Sequence, residues 1–340
     1  MAYSYNEVKL DKGMYHEAGS SFTAVLERLD PSENYRGTPL EKLDAYQRQL
    51  KRFDIKVSGA GSDVVEKFYR TSDSAVLFPE YIARTVRAGM EELDILPNIT
   101  ASVTKFDGLA YRSIYSVPLT SAKTLLPVNE GGDIPTTEVK VRSNLINLKK
   151  RGRMLVASYE AIRFQKLDLF SVMLRQIGNQ VIRMHLDDAI DTIISGDGNN
   201  NAADDLHTAT ALKITYGDLI NFWNEFDPYN MNTMLVSPDI MAALLHFPEF
   251  QNPLTGLNFQ GTGALTTPLG AKLIKTPAVP NGMIIGLDKG YALEMISASD
   301  VSVEYDRLID KQLERAAITS ISGFAKLYTD ASKTLSIYAS

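Results

Sequence analysis

Residues 168–195, DLFSVMLRQIGNQVIRMHLDDAIDTIIS, contain no proline and one internal glycine, Gly178. Asp168 is suited to cap the first turn, and Gly196 follows the last residue. A single helix of this length is roughly 40 Å long at 1.5 Å per residue. Its apolar face is not constant. Phe170, Met173, Leu174, Ile177, Val181 and Met184 fall on one side, whereas Ile182, Leu186, Ala189, Ile190 and Ile193 fall nearly opposite. The two halves are therefore expected to face different neighbours, as in a strut crossing a broad protein. Taken alone, the stretch also fits an ordinary core helix.

The chain has 340 residues, room for a large core and two or three subdomains. Its net charge of −6 argues against a basic nucleic-acid-binding module, although a local patch is compatible with it. Cysteine is absent, which excludes disulfides, thiolate metal sites and a cysteine nucleophile. The first residues, MAYSYNEVKLDKG, lack the apolar centre of a secretory signal, so none is expected. No apolar run approaches the ~20 residues of a membrane span, so no membrane partner is expected.

Residues 1–75 read as an N-terminal arm with short helices. Phe22, Val25, Leu26 and Leu29 mark one helix. Thr38-Pro39-Leu40-Glu41 reads as a capping box opening a second, with Leu43, Tyr46, Leu50 and Phe53 along it. This region holds too little apolar surface to fold alone, so it is expected to rest on the main body or on a neighbouring chain. Residues 76–100 hold an entry helix, with Pro79 in its first turn and Ile82, Val86, Met90 and Leu93 as its stripe.

Residues 101–157 change period. Tyr111, Ser113, Tyr115 and Val117 alternate with Arg112, Ile114 and Ser116, and a second β-leaning run follows from Thr137 to Ser158. Between them lies a loose tip rich in Pro, Gly, Ser and Thr. An isolated two-stranded excursion is marginal in water, so it is expected to lean on an adjacent subunit. Residues 158–207 contain the long helix and its exit turn. Residues 208–300 read as a mixed α/β subdomain and residues 301–340 as mainly strands, so the chain as a whole is α+β. An amphipathic patch is expected at Arg307–Arg315.

Catalytic chemistry has little footing. The four histidines, His16, His185, His207 and His246, are far apart, and no hydrolase motif or glycine-rich phosphate loop is present. Asp197, Asn199 and Asn201 occupy positions 1, 3 and 5 of a calcium-loop pattern. Position 6 is Ala202 and position 12 is Thr208, where glycine and a bidentate glutamate are required, so a plain turn is the stronger reading and no cofactor is expected. The basic run Lys140, Arg142, Lys149, Lys150, Arg151 and Arg153 reads first as a charged strand edge. It reads second as a patch for an acidic neighbour or a phosphate backbone.

The order of segments resembles the major capsid proteins of tailed phages, the Hong Kong 97 fold. Four parts carry the likeness. They are Phe78-Pro79-Glu80 with its helix; Glu130-Gly131-Gly132-Asp133-Ile134-Pro135; Ser158-Tyr159-Glu160 leading through the long helix to Ile194-Ser195-Gly196-Asp197-Gly198; and Val236-Ser237-Pro238 with Leu269-Gly270-Ala271 and Val279 to Gly286. The resemblance implies an N-terminal arm, an extended two-stranded loop, a peripheral domain with a spine helix, and an axial domain. It implies partners as well: copies of the chain in pentamers and hexamers, a portal, possible scaffolding or decoration proteins, and packaged double-stranded DNA bound without sequence specificity. The location implied is the virion, after assembly in the host cytoplasm.

Loop residues implied in inter-subunit assembly are Tyr111, Lys123, Glu130, Asp133, Lys140, Arg142, Lys149 and Arg151. The spine is represented by Phe170, Ile177, Val181, Leu186 and Ile190. Some family members join subunits by Lys–Asn cross-links through an asparagine near the C-terminus. The last asparagine here is Asn281, so no such cross-link is expected, and residues 1–75 are expected to be retained rather than cleaved. An encapsulin-like compartment shell is the alternative within the fold. A soluble hydrolase is the alternative of another class, and it would need a polar pocket with a histidine or paired carboxylates.

Overall fold

The computed structural model describes residues 5–17, 20–117, 130, 138–158, 160–161, 164–251, 269–308 and 310–337. The chain divides into two compact units. The first comprises Met1–Leu93, Arg151–Ile182 and Asp300–Ser320, and the second Asp94–Lys150, Arg183–Ser299 and Ile321–Ser340.

The first unit is built largely by the N-terminal region. Helices α1 (Phe22–Leu29), α2 (Ala45–Arg52), α3 (Ser72–Ala75) and α4 (Phe78–Glu92) follow one another. The Ser21 hydroxyl accepts from Ala24 N and caps α1. At α2, Asp44 and Gln47 form the reciprocal capping box: Gln47 N donates to Asp44 Oδ1 at 2.8 Å, and Asp44 N to Gln47 Oε1 at 3.0 Å. The helix therefore starts seven residues after the expected box at Thr38, whose hydroxyl instead donates to Tyr35 O.

Val8, Leu10, Phe22, Val25, Leu26, Tyr46, Leu50, Phe68 and Phe78 share one core with Leu167, Phe170, Leu174 and Ile177 of the long helix. The N-terminal region thus rests on the body of its own chain. Fully burying each large side chain of this kind is worth about 1.5–3 kcal/mol. Arg48 of α2 is buried too. Its Nε donates to Asp30 Oδ2 at 2.6 Å, and its guanidinium lies over the Tyr35 ring.

The long helix, α5, spans Leu167–Ser195. Asp168 lies inside its first turn rather than capping it, and accepts from Gly59 N at 3.3 Å. Gly196, with φ of 85°, terminates it as expected. In the first unit's share, Leu167, Phe170, Leu174 and Ile177 are buried. In the second unit's share, Leu186, Ala189, Ile190 and Ile193 are buried. At 100° per residue this stripe turns by roughly a third of a revolution along the helix. Met173 and Met184, expected in the stripe, are exposed.

In the first unit α4 crosses α5 at two glycines. A Cβ built at Gly89 would lie 2.3 Å from Arg175 O, and one at Gly178 2.1 Å from Val86 O. Only glycine at both positions lets the two backbones come this close.

The second unit centres on a five-stranded sheet, ordered β7 (Asp204–His207), β13 (Ser332–Ser336), β10 (Met283–Leu287), β8 (Thr233–Val236) and β9 (Lys272–Lys275). β8 and β10 are central and buried on both faces, which is why TMLV and MIIGL read as continuous apolar runs. Helices α6 (Tyr216–Asn224) and α7 (Pro238–Leu245) contribute Leu219, Phe222, Ile240 and Leu244 to its core. Residues 252–268, read as loop-like, lie outside the described residues.

A four-stranded sheet has the order β1 (Thr100–Lys105), β11 (Leu293–Leu308), β12 (Leu313–Lys326), β6 (Lys149–Ser158). β11 and β12 are long enough that each contributes residues to both units. The expected amphipathic patch at Arg307–Arg315 falls instead on the end of β11, the start of β12 and the described turn residues 310–312, with Gln312 at φ of 51°. The remaining strands form two-stranded pieces, β2 (Ala110–Tyr111) with β5 (Ile146–Asn147) and β3 (Ile114–Val117) with β4 (Glu138–Val141).

Candidate assembly surfaces

The β3–β4 ribbon is antiparallel, with Ile114 opposite Val141 and Ser116 opposite Val139. Ile114, Val139 and Val141 share one face because side chains alternate along a strand. On that face Ile114, Val139 and Val141 are 58%, 67% and 55% exposed. Among the described residues the ribbon pairs with no other strand, and its solvent-facing β-branched residues form an apolar strip that none of them covers.

The base of the ribbon is held within the second unit. Arg142 is buried, and its guanidinium donates to the carbonyls of Lys326 and Leu327 at 2.9 and 3.0 Å. Asn144 donates from its backbone to Asn199 Oδ1 at 3.0 Å and from its side chain to Gly198 O at 2.6 Å. The turn that receives Asn144 is the Gly196-Asp197-Gly198 segment after α5. Asp197 Oδ1 accepts from the backbone and side chain of Asn199, and Asp197 Oδ2 accepts from Lys326 N at 2.9 Å. Asn201 Oδ1 accepts from Asp197 N at 3.0 Å. The oxygens of the calcium-like pattern are thus turned onto N–H donors as a turn-building network. Among the described residues no group of three histidine, aspartate or glutamate side chains is placed to hold a metal ion.

Lys326 completes this hub. Its side chain is buried, and Nζ donates to Ile193 O at 3.3 Å, in the last turn of α5. Burial holds its pKa down at about 8, against the opposing pull of Asp204, Asp197 and Asp330. A cation at a helix C-terminus complements the carbonyl dipoles there.

The loop residues singled out in the sequence have different placements. Lys140 is exposed on the ribbon and Glu130 is exposed in a turn. Tyr111 sits at its base, half-buried, edge-to-face with Phe106 at 5.3 Å and 3.4 Å from Glu294 Oε1. Burial first, and the Glu294 carboxylate second, raise its pKa. Lys149 reaches Asp188 of α5 at 2.7 Å. Arg151 is half-buried in the first unit, and Arg153 donates to Gln180. Lys123 and Asp133 lie outside the described residues.

Among the described residues of this set, Arg142 alone is placed in the interior, where it donates to the chain's own carbonyls. Of the spine residues, Phe170 and Ile177 are buried in the first unit, Leu186 and Ile190 in the second, and Val181 is half-buried. They build cores rather than an exposed surface. On the first unit, Met154 and Val156 of β6 are about half exposed and face away from Leu155 and Ala157, which pack on the core.

Sequence reasoning missed the hub of Asn144, Asp197, Asn199 and Lys326. The cluster of small polar residues after the helix was its only signal. No helix among the described residues is long and apolar enough to cross a membrane.

Solved structures share this architecture. A virus-like particle from Pyrococcus furiosus matches with a TM-score of 0.52 at 13% identity, covering 76% of this chain and 99% of that one. The capsid of a native GTA particle matches with 0.54 at 14% identity, covering 75% and 91%. The capsid of cyanophage P-SCSP1u matches with 0.51 at 14% identity, covering 72% and 88%. At these identities the likeness speaks to the fold, and the fold is the Hong Kong 97-type capsid fold.

Residues 142–320, more than half of the chain, match the family model described as phage capsid protein, and the chain belongs to that family. It is a structural protein of the virion, not an enzyme. No curated protein matches the sequence.

Proposed function

We propose that copies of this chain close into pentamers and hexamers of an icosahedral shell around double-stranded DNA, assembled in the host cytoplasm. In this reading the five-stranded-sheet unit serves as the axial domain. The sheet and helix of the first unit serve as the peripheral domain. A portal occupies one vertex, and scaffolding or decoration proteins are further partners. DNA contacts are sequence-independent, in keeping with a net-negative chain that has only local basic runs.

The observation that carries the proposal is the ribbon. Its apolar strip of Ile114, Val139 and Val141 is open, while Arg142 and Asn144 fix its base. A surface that is anchored at its base yet left open by the described residues suits a neighbouring copy, and the exposed Met154 and Val156 of β6 offer an apolar surface to receive it. Heterologous contacts of this kind generate closed assemblies when the rotation closes.

The double variant Ile114→Asp, Val141→Asp tests this. Both positions are exposed, so fold stability is expected to stay within about 0.5 kcal/mol of the parent. Sedimentation is expected to show loss of large particles. Unchanged assembly by this variant would remove the ribbon from the account.

A further inference from the structure

The five-stranded sheet of the second unit ends in two strands of opposite charge. β7 carries Asp204 and Asp205, and β9 carries Lys272 and Lys275, all four exposed. Among the described residues each strand is paired on one side only, β7 with β13 and β9 with β8. β7 is parallel to β13, β13 antiparallel to β10, β10 antiparallel to β8, and β8 parallel to β9, so the two edge strands run in the same direction. An open strand edge is a ready template for another chain.

The charges are largely uncompensated. Lys272 Nζ donates to the neutral Asn98 Oδ1 at 2.8 Å, and no carboxylate of the described residues pairs with Lys275. Asp205 accepts from the hydroxyls of Thr334 and Ser336, both neutral. Asp204, with its side chain 65% exposed, stands 3.6 Å from Lys333. The β7 edge therefore presents the exposed carboxylates of Asp204 and Asp205, with the nearby cations Lys326 and Lys333 largely withdrawn from solvent, and the β9 edge presents two exposed ammonium groups.

We propose that the β9 edge of one copy docks on the β7 edge of the next, a head-to-tail contact that repeats around a ring. The partner is a second copy because one sheet carries both complementary edges, in the same strand direction. This rests on the shell reading above and names a contact separate from the ribbon. Opposite charge across such an interface selects the partner and sets the register, and like charge placed there opposes it.

Two variants and a cross-link map test the contact. Lys272→Glu with Lys275→Glu makes both edges acidic, and Asp204→Lys makes both basic. Each alone is expected to lower the assembled fraction about tenfold while circular dichroism and the thermal midpoint stay at parent values. An equimolar mixture of the two is expected to regain association and even-numbered rings such as hexamers, in which acidic edges alternate with basic ones, whereas a five-membered ring keeps one like-charged contact. Carbodiimide coupling of particles made from isotope-labelled and unlabelled wild-type protein is expected to join Lys272 or Lys275 to Asp204 or Asp205 of a different copy.

Variants that assemble like the parent, a mixture that forms no more dimers or six-membered rings than its components, or lysines coupled only to other carboxylates would overturn the contact. If Asp204→Lys fails to fold, the lysine variant and the cross-link map decide. Wild-type protein that never associates would instead sink the shell reading itself.

Discussion

Lys326 shows how one buried charge ties several segments together. Its backbone N–H meets Asp197, its carbonyl receives Arg142, and its ammonium group reaches the last turn of α5. With its pKa at about 8 in the fold and near 10.5 in the unfolded chain, the folded state penalises the charged form. Below pH 8 both states are charged and the penalty is constant. Between about pH 8 and 10.5, folding releases the proton and stability rises with pH, by at most about 1.4 kcal/mol per pH unit. The Lys326→Met variant is expected to lack this rise. Buried tyrosines such as Tyr15, whose pKa is raised by burial, act in the opposite sense above pH 10. The informative quantity is therefore the difference between the two proteins in urea midpoints at pH 7, 8, 9 and 10. Equal slopes would mean that Lys326 is solvated. Neither Lys326 nor Arg48 was legible as a buried residue, because apolar periodicity assigns every charge to solvent and carries no signal for a charge satisfied by carbonyls.

At the scale of elements, the α4–α5 crossing depends on two glycines. Alanine in place of a mid-helix glycine ordinarily stabilises by about 1 kcal/mol. At Gly178 the added methyl would fall 2.1 Å from a backbone oxygen of α4, which cannot move aside as a flexible side chain does. Overpacking of this kind costs roughly 1–3 kcal/mol or more, so it outweighs the propensity gain. Gly178→Ala is expected to destabilise by about 2 kcal/mol in urea unfolding, whereas Gly61→Ala, with open space around its Cβ, is expected to be near neutral. A neutral Gly178→Ala would show that the helices can part without loss. The long helix itself was legible because its length and glycine stop are written locally. Its capping residue was not, since Asp168 looks the same whether it caps α5 or accepts from Gly59. The start of α2 was misplaced for a related reason: two capping patterns lie within ten residues, and only the Asp44–Gln47 pair closes reciprocally. Strands β11 and β12 extend into the stretch expected to be an amphipathic patch, because Glu314 and Arg315 break the apolar alternation at the start of β12. Gly323 fits within β12 by leaving room for Leu148, whose side chain would meet a Cβ at 2.6 Å.

For the whole molecule, the order of segments was more informative than any motif. The mixed fold, the absence of catalytic groupings in the sequence and the capsid likeness agree with the family match over residues 142–320. The depth to which residues 5–69 enter the first unit's core was not legible. Their helices are short, and their apolar partners lie far away in sequence, in α4, α5 and β12. The same burial makes this region part of the folded subunit rather than a loosely held appendage. A shell needs surfaces that a single copy leaves unsatisfied, and the ribbon strip and the two charged sheet edges are the surfaces proposed for that role. The most direct measurement is electron microscopy of the purified chain over a range of protein and salt concentrations, followed by rotational analysis of the particles. The account predicts closed shells tens of nanometres across, built from five-fold and six-fold rings. A chain that stays monomeric under every condition, including in the presence of its phage's other assembly proteins, would contradict it.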